Sequence, residues 1–216
     1  MKLKNKTCFV TGCAGCIGSN LTDALLEKGA KKIIGLDNLV AGSMENIRHL
    51  KNERRFDFIK GDVGDVKLIE KLVKNSEFVF NLAASKLVVS LEKPRMDLET
   101  NIVGTFNVLE SARKKRNVRI VHASTGSVLG SSERAMKEDH CPNPTTLYGI
   151  SKFSAEKYCQ FYAKEFNVNI SIIRYFHVFG PRQDYSGKAG VVNIFLSKVL
   201  RGKPPIINGS GEQIRC

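Results

Sequence analysis

Thr11-Gly12-Cys13-Ala14-Gly15-Cys16-Ile17-Gly18 stands between an apolar run, Thr7 to Val10, and an amphipathic helical pattern over 17–28. A strand that ends in a glycine turn and restarts as a helix aims free backbone N–H groups and the positive end of the helix dipole at one spot. An anion is expected there. Gly12 permits the turn, Gly15 lets a ligand approach the backbone, and Gly18 lets the helix pack close to the strand. The spacing, Gly-x-x-Gly-x-x-Gly, is one residue wider than the Gly-x-Gly-x-x-Gly dinucleotide fingerprint. About twenty residues on, a second apolar run, Lys32-Ile33-Ile34-Gly35-Leu36, ends in Asp37. A carboxylate there can accept both ribose hydroxyls of an adenosine and repels a 2'-phosphate, which favours NAD over NADP.

Apolar runs near 7–11, 32–37, 55–60, 77–82, 118–123 and 169–175 alternate with helical patterns. That alternation predicts an α/β fold, a doubly wound parallel sheet covered on both faces, with ligands beyond the carboxyl ends of the strands. Two long helices are predicted, about Met96 to Lys115 and Leu147 to Phe166. The first carries Leu98, Ile102, Phe106 and Leu109 as an apolar stripe for the core or a dimer face. After Arg174 the pattern changes to a glycine-rich loop, a short helix near Val191 to Leu200, and Gly202-Lys203-Pro204-Pro205. Residues 1–175 are expected to form one domain and 176–216 the beginning of a second, smaller lobe.

At 216 residues and 42% hydrophobic, the chain is long enough for one well-buried domain. Its apolar runs fall short of membrane-spanning length, and Met1 to Lys6 lead into no signal-peptide core, so a cytoplasmic location is expected. Six cysteines are too scattered for a disulfide framework, and Cys13 and Cys16 read as small residues in a tight loop, with no second Cys or His pair at zinc spacing. No metal is expected. The net charge of +13 is dispersed. Its densest run, Arg113 to Arg116, ends a predicted helix and complements the dipole there, which disfavours a nucleic-acid face.

Tyr148-Gly149-Ile150-Ser151-Lys152 puts a phenol and an ammonium four residues apart on one helix face. A phenol that serves as a base at neutral pH must lose about three units from its ordinary pKa, roughly 4 kcal/mol. One cation at about 5 Å supplies roughly 3 kcal/mol at an effective dielectric near 20, and an oxidised nicotinamide ring adds a second positive charge. The Thr125 hydroxyl, after the run Ile120 to Ser124, can then hold a substrate alcohol or relay its proton.

With the glycine loop, Asp37, Ser124-Thr125 and Tyr148 to Lys152 in that order, the chain resembles the extended short-chain dehydrogenase/reductase family, in its nucleotide-sugar epimerase and dehydratase branch. Asn81-Leu82-Ala83-Ala84, Asn101 to Glu110, Arg174 to Arg182 and Gly209 to Arg215 extend the resemblance. It implies a Rossmann-like fold, NAD as cofactor and a nucleotide sugar, most simply a UDP-hexose, as substrate. It also implies Tyr148, Lys152 and Thr125 as catalytic residues. Cofactor contacts would come from Gly12, Gly15, Cys16, Ile17, Gly18, Asp37, Asn38, Asp62, Val63, Leu82, Ala83, Ala84, Lys86, Asn101, Tyr148, Lys152 and Phe176. Lys86, Ser124, Thr125, Tyr148 and His177 would face the substrate, with His177 standing where the family usually has Asn. A homodimer through the helices near 96–115 and 147–166 is implied as well. Family dehydratases and decarboxylases carry acids just after the catalytic threonine; Gly126 and Ser127 stand there, which leaves 4-epimerisation by transient oxidation of one hydroxyl and return of hydride to the opposite face. Family members run past Cys216, so the second lobe is expected to be incomplete. The rival readings are an NAD-binding chain without catalysis or dependent on a partner chain, and a dehydratase or reductase of the same fold.

Overall fold

The computed structural model describes residues 3–115, 117–132, 135–184, 190–207 and 209–212. Arg116 of the basic run and residues 213–215 of the last quoted stretch lie outside the described residues, as does Cys216. Strands β1 (Thr7–Thr11), β2 (Lys32–Asp37), β3 (Phe56–Lys60), β4 (Phe78–Asn81), β5 (Arg119–Thr125) and β6 (Asn169–Tyr175) form one all-parallel sheet in the order β3-β2-β1-β4-β5-β6. The order reverses between β1 and β4, which opens a crevice at their carboxyl ends.

Helices α1 (Cys16–Glu27), α2 (Val66–Lys74), α3 (Leu87–Glu92), α4 (Pro94–Leu98), α5 (Gly104–Lys115), α6 (Leu147–Glu165) and α7 (Val191–Leu200) complete the described elements, with a short 3-10 helix at Met44–Leu50 and another at Gly126–Val128. Alternate strand residues go to opposite faces. Phe9, Leu36, Val79 and Ile120 pack with Ile69, Val73, Val108, Leu109, Ala112, Cys159 and Tyr162 of α2, α5 and α6. Cys8, Val10, Ile33, Phe78 and Phe80 pack with Leu25 and Leu26 of α1 and with Ile47 and Leu50. Local chemistry starts the helices: Asp65 accepts the Leu68 N–H at 3.0 Å before α2, and Thr146 accepts the Gly149 N–H at 3.0 Å before α6.

The long helix predicted over 96–115 is divided. Between α4 and α5, Glu99–Val103 forms a π turn around the buried Asn101. Of the two readings of its apolar stripe, core or dimer face, the core does not hold for most of it. Leu98 and Phe106 are 50% and 39% exposed, and the buried stripe is Asp97, Asn101, Thr105, Val108 and Ala112. Leu109 alone of the four predicted residues reaches the core.

A polar row crosses the sheet on its α5–α6 side. Thr11, Asn81 and His122 are register neighbours on β1, β4 and β5. Thr11 Oγ1 donates to Asn81 Oδ1 at 3.0 Å, and Asn81 Nδ2 donates to Thr105 Oγ1 at 3.2 Å and to His122 Nδ1 at 3.1 Å. Thr11 Oγ1 also accepts the N–H groups of Leu82 and Ala83, both at 3.0 Å, so the chain leaving β4 is tied to the end of β1.

The join of β1 to α1 leaves no room for a side chain at Gly18. Gly12 sits at φ +70°, and a Cβ added at Gly18 would lie 2.1 Å from the Gly12 carbonyl oxygen and 2.8 Å from Cys13 Cα. Both are backbone, which cannot swing aside. Gly18→Ala is therefore expected to cost about 3 kcal/mol in urea unfolding, whereas Gly15→Ala, whose Cβ would stand 3.3 Å from the same carbonyl, loses much less.

Candidate active site

The cradle is the amino end of α1, where Cys16, Ile17 and Gly18 present N–H groups that the helix itself leaves unpaired. These donors and the absence of side chains at Gly12 and Gly15 fit a pyrophosphate. Cys13 is fully buried beside Gly35, and burial, then the charge of Asp37, pushes its thiol up to about 12. Burial also raises the Cys16 thiol, against the pull of Arg182. These are neutral packing groups at neutral pH. Among the described residues no group of three or more His, Cys, Asp or Glu is placed to hold a metal ion.

Sequence reasoning missed a clasp over this cradle. The chain beyond β6 returns so that the Pro181 carbonyl accepts from Cys16 Sγ at 3.4 Å and from Asn20 Nδ2 at 3.1 Å. Arg182, at φ +66°, pairs with Asp23 of α1 at 2.5 Å, and Asp23 takes His49 Nε2 at 2.8 Å on its other oxygen. Nothing in the spacing of these residues announces the contact, which is made across 159 positions.

On the β2–β3 side, buried Asp37 accepts the Ala14 N–H at 2.9 Å through Oδ2 and the Leu39 N–H at 2.8 Å through Oδ1. Each oxygen keeps a second lone pair for a ribose hydroxyl. Asn38 Nδ2 donates to Asp62 Oδ2 at 2.7 Å, and Asp62 Oδ1 accepts the Gly64 N–H at 2.7 Å. Val63 turns its side chain under Gly104, so it serves helix packing.

On the β4–β6 side, Leu82, Ala83 and Ala84 are half-buried along the crevice, and Lys86 faces Asp184 at 3.9 Å. Asn101, expected to touch the dinucleotide, is fully buried one layer behind: its Oδ1 accepts the Ser85 N–H at 3.0 Å, and its Nδ2 reaches Asp97 at 2.9 Å and Ser151 Oγ at 3.0 Å. Ser124, expected at the substrate, has its hydroxyl buried and without a partner among the described residues. Phe176 and His177 are exposed beyond β6, the His177 ring lying near Gly190 at the start of α7.

Thr125 ends β5, accepts the Ser127 N–H at 3.2 Å and is hydrogen-bonded to Tyr148. Lys152 follows one turn behind Tyr148 and is 1% exposed. Burial draws its ammonium down to about 8, against Cys159, Glu156 and Asp97, which raise it. Burial also pushes Tyr148 up; the bond from Thr125 opposes this and Asp97 adds to it. Burial is the first cause of that rise, and the charge expected to oppose it is Lys152 together with the cationic ring of oxidised NAD. His122, buried against Lys152, is held well below its ordinary value by burial and then by that charge, so it is neutral. Glu156, fully buried a further turn along α6, is bound by Arg174 at 2.9 and 2.8 Å.

Residues 8–215 match the NAD dependent epimerase/dehydratase family. The UDP-glucose 4-epimerase of Mycolicibacterium smegmatis is 38% identical over 211 residues, 96% of this chain and 67% of that one. The crystal structure of UDP-glucose 4-epimerase with UDP-glucose from Thermotoga maritima superposes with a TM-score of 0.89 at 37% identity, covering 97% of this chain and 68% of that one. A dTDP-glucose 4,6-dehydratase of Bacillus anthracis in complex with NAD gives 0.88 at 27%, over 97% and 66%. The chain thus spans about two thirds of the length of these relatives. With its parallel sheet, glycine cradle and Asp37 in place, the chain belongs to the NAD dependent epimerase/dehydratase family, and NAD is its cofactor.

Proposed function

We propose that the chain is a nucleotide-sugar 4-epimerase acting on a UDP-hexose. The observation that carries the reading is the ground beside the Tyr148–Thr125 hydrogen bond. Eliminating water or losing carbon dioxide from a sugar calls for acid/base groups beyond those that oxidise one hydroxyl. The next residue is Gly126, and a Cβ there would meet the Phe176 ring at 2.7 Å, so an acidic side chain has no room without moving that ring. Epimerisation asks only that a proton leave and return.

Tyr148 takes the proton of the sugar hydroxyl, Thr125 orients that hydroxyl, and Lys152 holds positive charge behind the phenol. Bound NAD supplies a hydride acceptor that can give the hydride back. The glycine cradle would hold its pyrophosphate and Asp37 its adenosine ribose, while Leu82 to Lys86 line the channel and His177 faces the substrate's phosphates. Residues 1–175 carry cofactor and base, and 176–216 begin the lobe that receives the sugar nucleotide.

A homodimer and a cytoplasmic location belong to the same proposal. Leu147, Ile150, Tyr158 and Phe161 of α6 are exposed beside Leu98 and Phe106, and the rings of Phe106 and Tyr158 stack edge-on at 6.0 Å. An apolar face of that extent supports a self-associating surface. The five described cysteines are free thiols, as suits a reducing compartment, and no helix among the described residues is long and apolar enough to cross a membrane.

In a coupled assay with NAD and a panel of UDP-hexoses, the purified chain is expected to interconvert one C4 pair, and Tyr148→Phe to lose about 10³-fold in kcat while its fluorescence titration with NAD is little changed. NAD binding with no turnover on any nucleotide sugar overturns the epimerase reading and leaves a cofactor-binding chain. Accumulation of a 4-keto product shows a dehydratase instead. Phe106→Glu is expected to convert the dimer seen by light scattering to monomer; a monomeric parent chain removes that part of the proposal.

A further inference from the structure

The net charge of +13, dispersed along the sequence, is gathered by the fold. All six strands are parallel, so their amino ends lie along one edge of the sheet, opposite the crevice. Helices α1, α2 and α5 end at that same edge, because each returns the chain to the start of the next strand. Cations stand at nearly every one of these ends: Lys4 before β1, Lys28 after α1, Lys31 before β2, Arg54 before β3, Lys74 closing α2 and Arg119 opening β5.

Backbone hydrogen bonds join these ends into one surface. The Ile33 N–H donates to the Arg55 carbonyl at 2.7 Å, and the Lys31 N–H to the Lys6 carbonyl at 2.9 Å. The Glu77 N–H donates to the Thr7 carbonyl and the Arg119 N–H to the Glu77 carbonyl, both at 3.0 Å. The starts of β3, β2, β1, β4 and β5 are thus linked in that order.

The acids of this surface are already engaged. Glu77 holds Lys6 at 2.9 Å, Asp57 holds Lys32 at 2.7 Å, Glu53 holds Arg55 at 2.9 Å, and Glu70 holds Lys114 at 2.5 Å. Each pair cancels its own charge. Lys4, Lys28, Lys31, Arg54, Lys74 and Arg119 are exposed, and none has a carboxylate within ion-pair distance among the described residues. Against these six cations stands the exposed Glu27.

The chemistry of the surface selects the polyanion. The helix ends gathered there are carboxyl ends, which present carbonyl oxygens and no free N–H groups to fix a phosphate. Four of the six cations are lysines, point charges on flexible stems, whereas the forks of Arg55 and Arg113 are each spent in two bonds to Glu53 and Glu110. Phe166, the exposed ring that closes α6 at this edge, is covered by the Arg113 guanidinium at 4.9 Å and packs edge-on with Phe161 and Tyr162. It is engaged within the fold rather than set out to stack on a base. What remains is diffuse positive charge over a broad end of the molecule, the complement of a surface of mobile anionic headgroups.

We propose that the amino end of the sheet docks the chain on an anionic lipid surface, with the crevice turned toward the water. Contact is made by charge at the headgroups, and no segment enters the hydrocarbon. Because the crevice lies at the opposite end, the proposal does not depend on which reaction the chain performs.

Sedimentation of the chain with phosphatidylcholine vesicles containing about 30 mol% phosphatidylserine, in about 0.1 M salt, tests it. Binding is expected to these vesicles, to be absent with phosphatidylcholine alone, and to be released by roughly 0.5 M salt. Each cation removed is expected to weaken partitioning about fivefold, so the triple variant Lys28→Gln/Lys31→Gln/Lys74→Gln loses about 100-fold. The control Lys60→Gln/Lys67→Gln/Lys137→Gln removes the same charge away from this edge and is expected to lose less than about tenfold. A fluorescence titration with NAD, unchanged in both, shows that the variants are folded. No binding to the anionic vesicles, binding that survives the higher salt, or equal loss from the two triple variants overturns the proposal. A labelled DNA duplex that binds more tightly than the vesicles at the same salt, with the same dependence on the three lysines, also overturns it and assigns the surface to nucleic acid.

Discussion

An ammonium group taken out of water is the constraint to which the middle of this molecule answers. Lys152 is buried among β5, α4 and its own helix, and removing such a charge from water costs several kcal/mol unless neighbours restore the loss. Each neighbour can be understood from that cost. His122 stays neutral and turns an acceptor toward Asn81; Glu156 gives its charge to Arg174 and anchors α6 to β6; Asp97 accepts from the Ser85 hydroxyl and the Asn101 amide. The crevice is laid over this arrangement, and Tyr148 stands at its border.

Much of the architecture is legible in the chain because parallel strands and their helices write long, regular signals. The runs at 7–11, 32–37 and 169–175 are strands with those bounds, and the others shift by one or two residues where a strand end has no distinctive residue. The 19-residue helix from Leu147 and the helix at 191–200 are equally plain. What the pattern left open is which face of the helix after Pro94 turns inward. Leu98, Ile102 and Phe106 have the right period and are apolar, so hydrophobicity selects them. The protein instead turns inward the stripe of Asp97, Asn101 and Thr105, because those positions serve a polar junction. An acid, an amide and a hydroxyl at helical spacing, leading into Val108 and Ala112, are the signal that could have found it.

The site shows the same division. Side chains that bear on a ligand through sequence-local geometry, such as the glycine loop, Asp37 and the Tyr148–Lys152 pair, could be picked out by spacing. Those that act across the fold could not: Arg182 reaching Asp23, Arg174 reaching Glu156, Phe176 lying over Gly126. The sign of the Tyr148 shift also depended on burial, which a sequence states only indirectly. Spacing gave the cation and not the dielectric around it.

The strand order has a consequence for how the chain comes into being. β1 is made before the other five strands of the sheet and lies in its middle, with Cys8 paired to Ile33 on one side and to Phe78 on the other. At ordinary rates of synthesis the second partner leaves the ribosome roughly 4 to 14 s after the first strand. For that interval a nearly continuous apolar strand, later sealed on both faces, offers one open edge and a thiol to its surroundings. The segment that ends as the most protected part of the protein is thus the one longest exposed during translation, and the burden of keeping it from the wrong partner falls on the nascent chain's early contacts with β2 and α1.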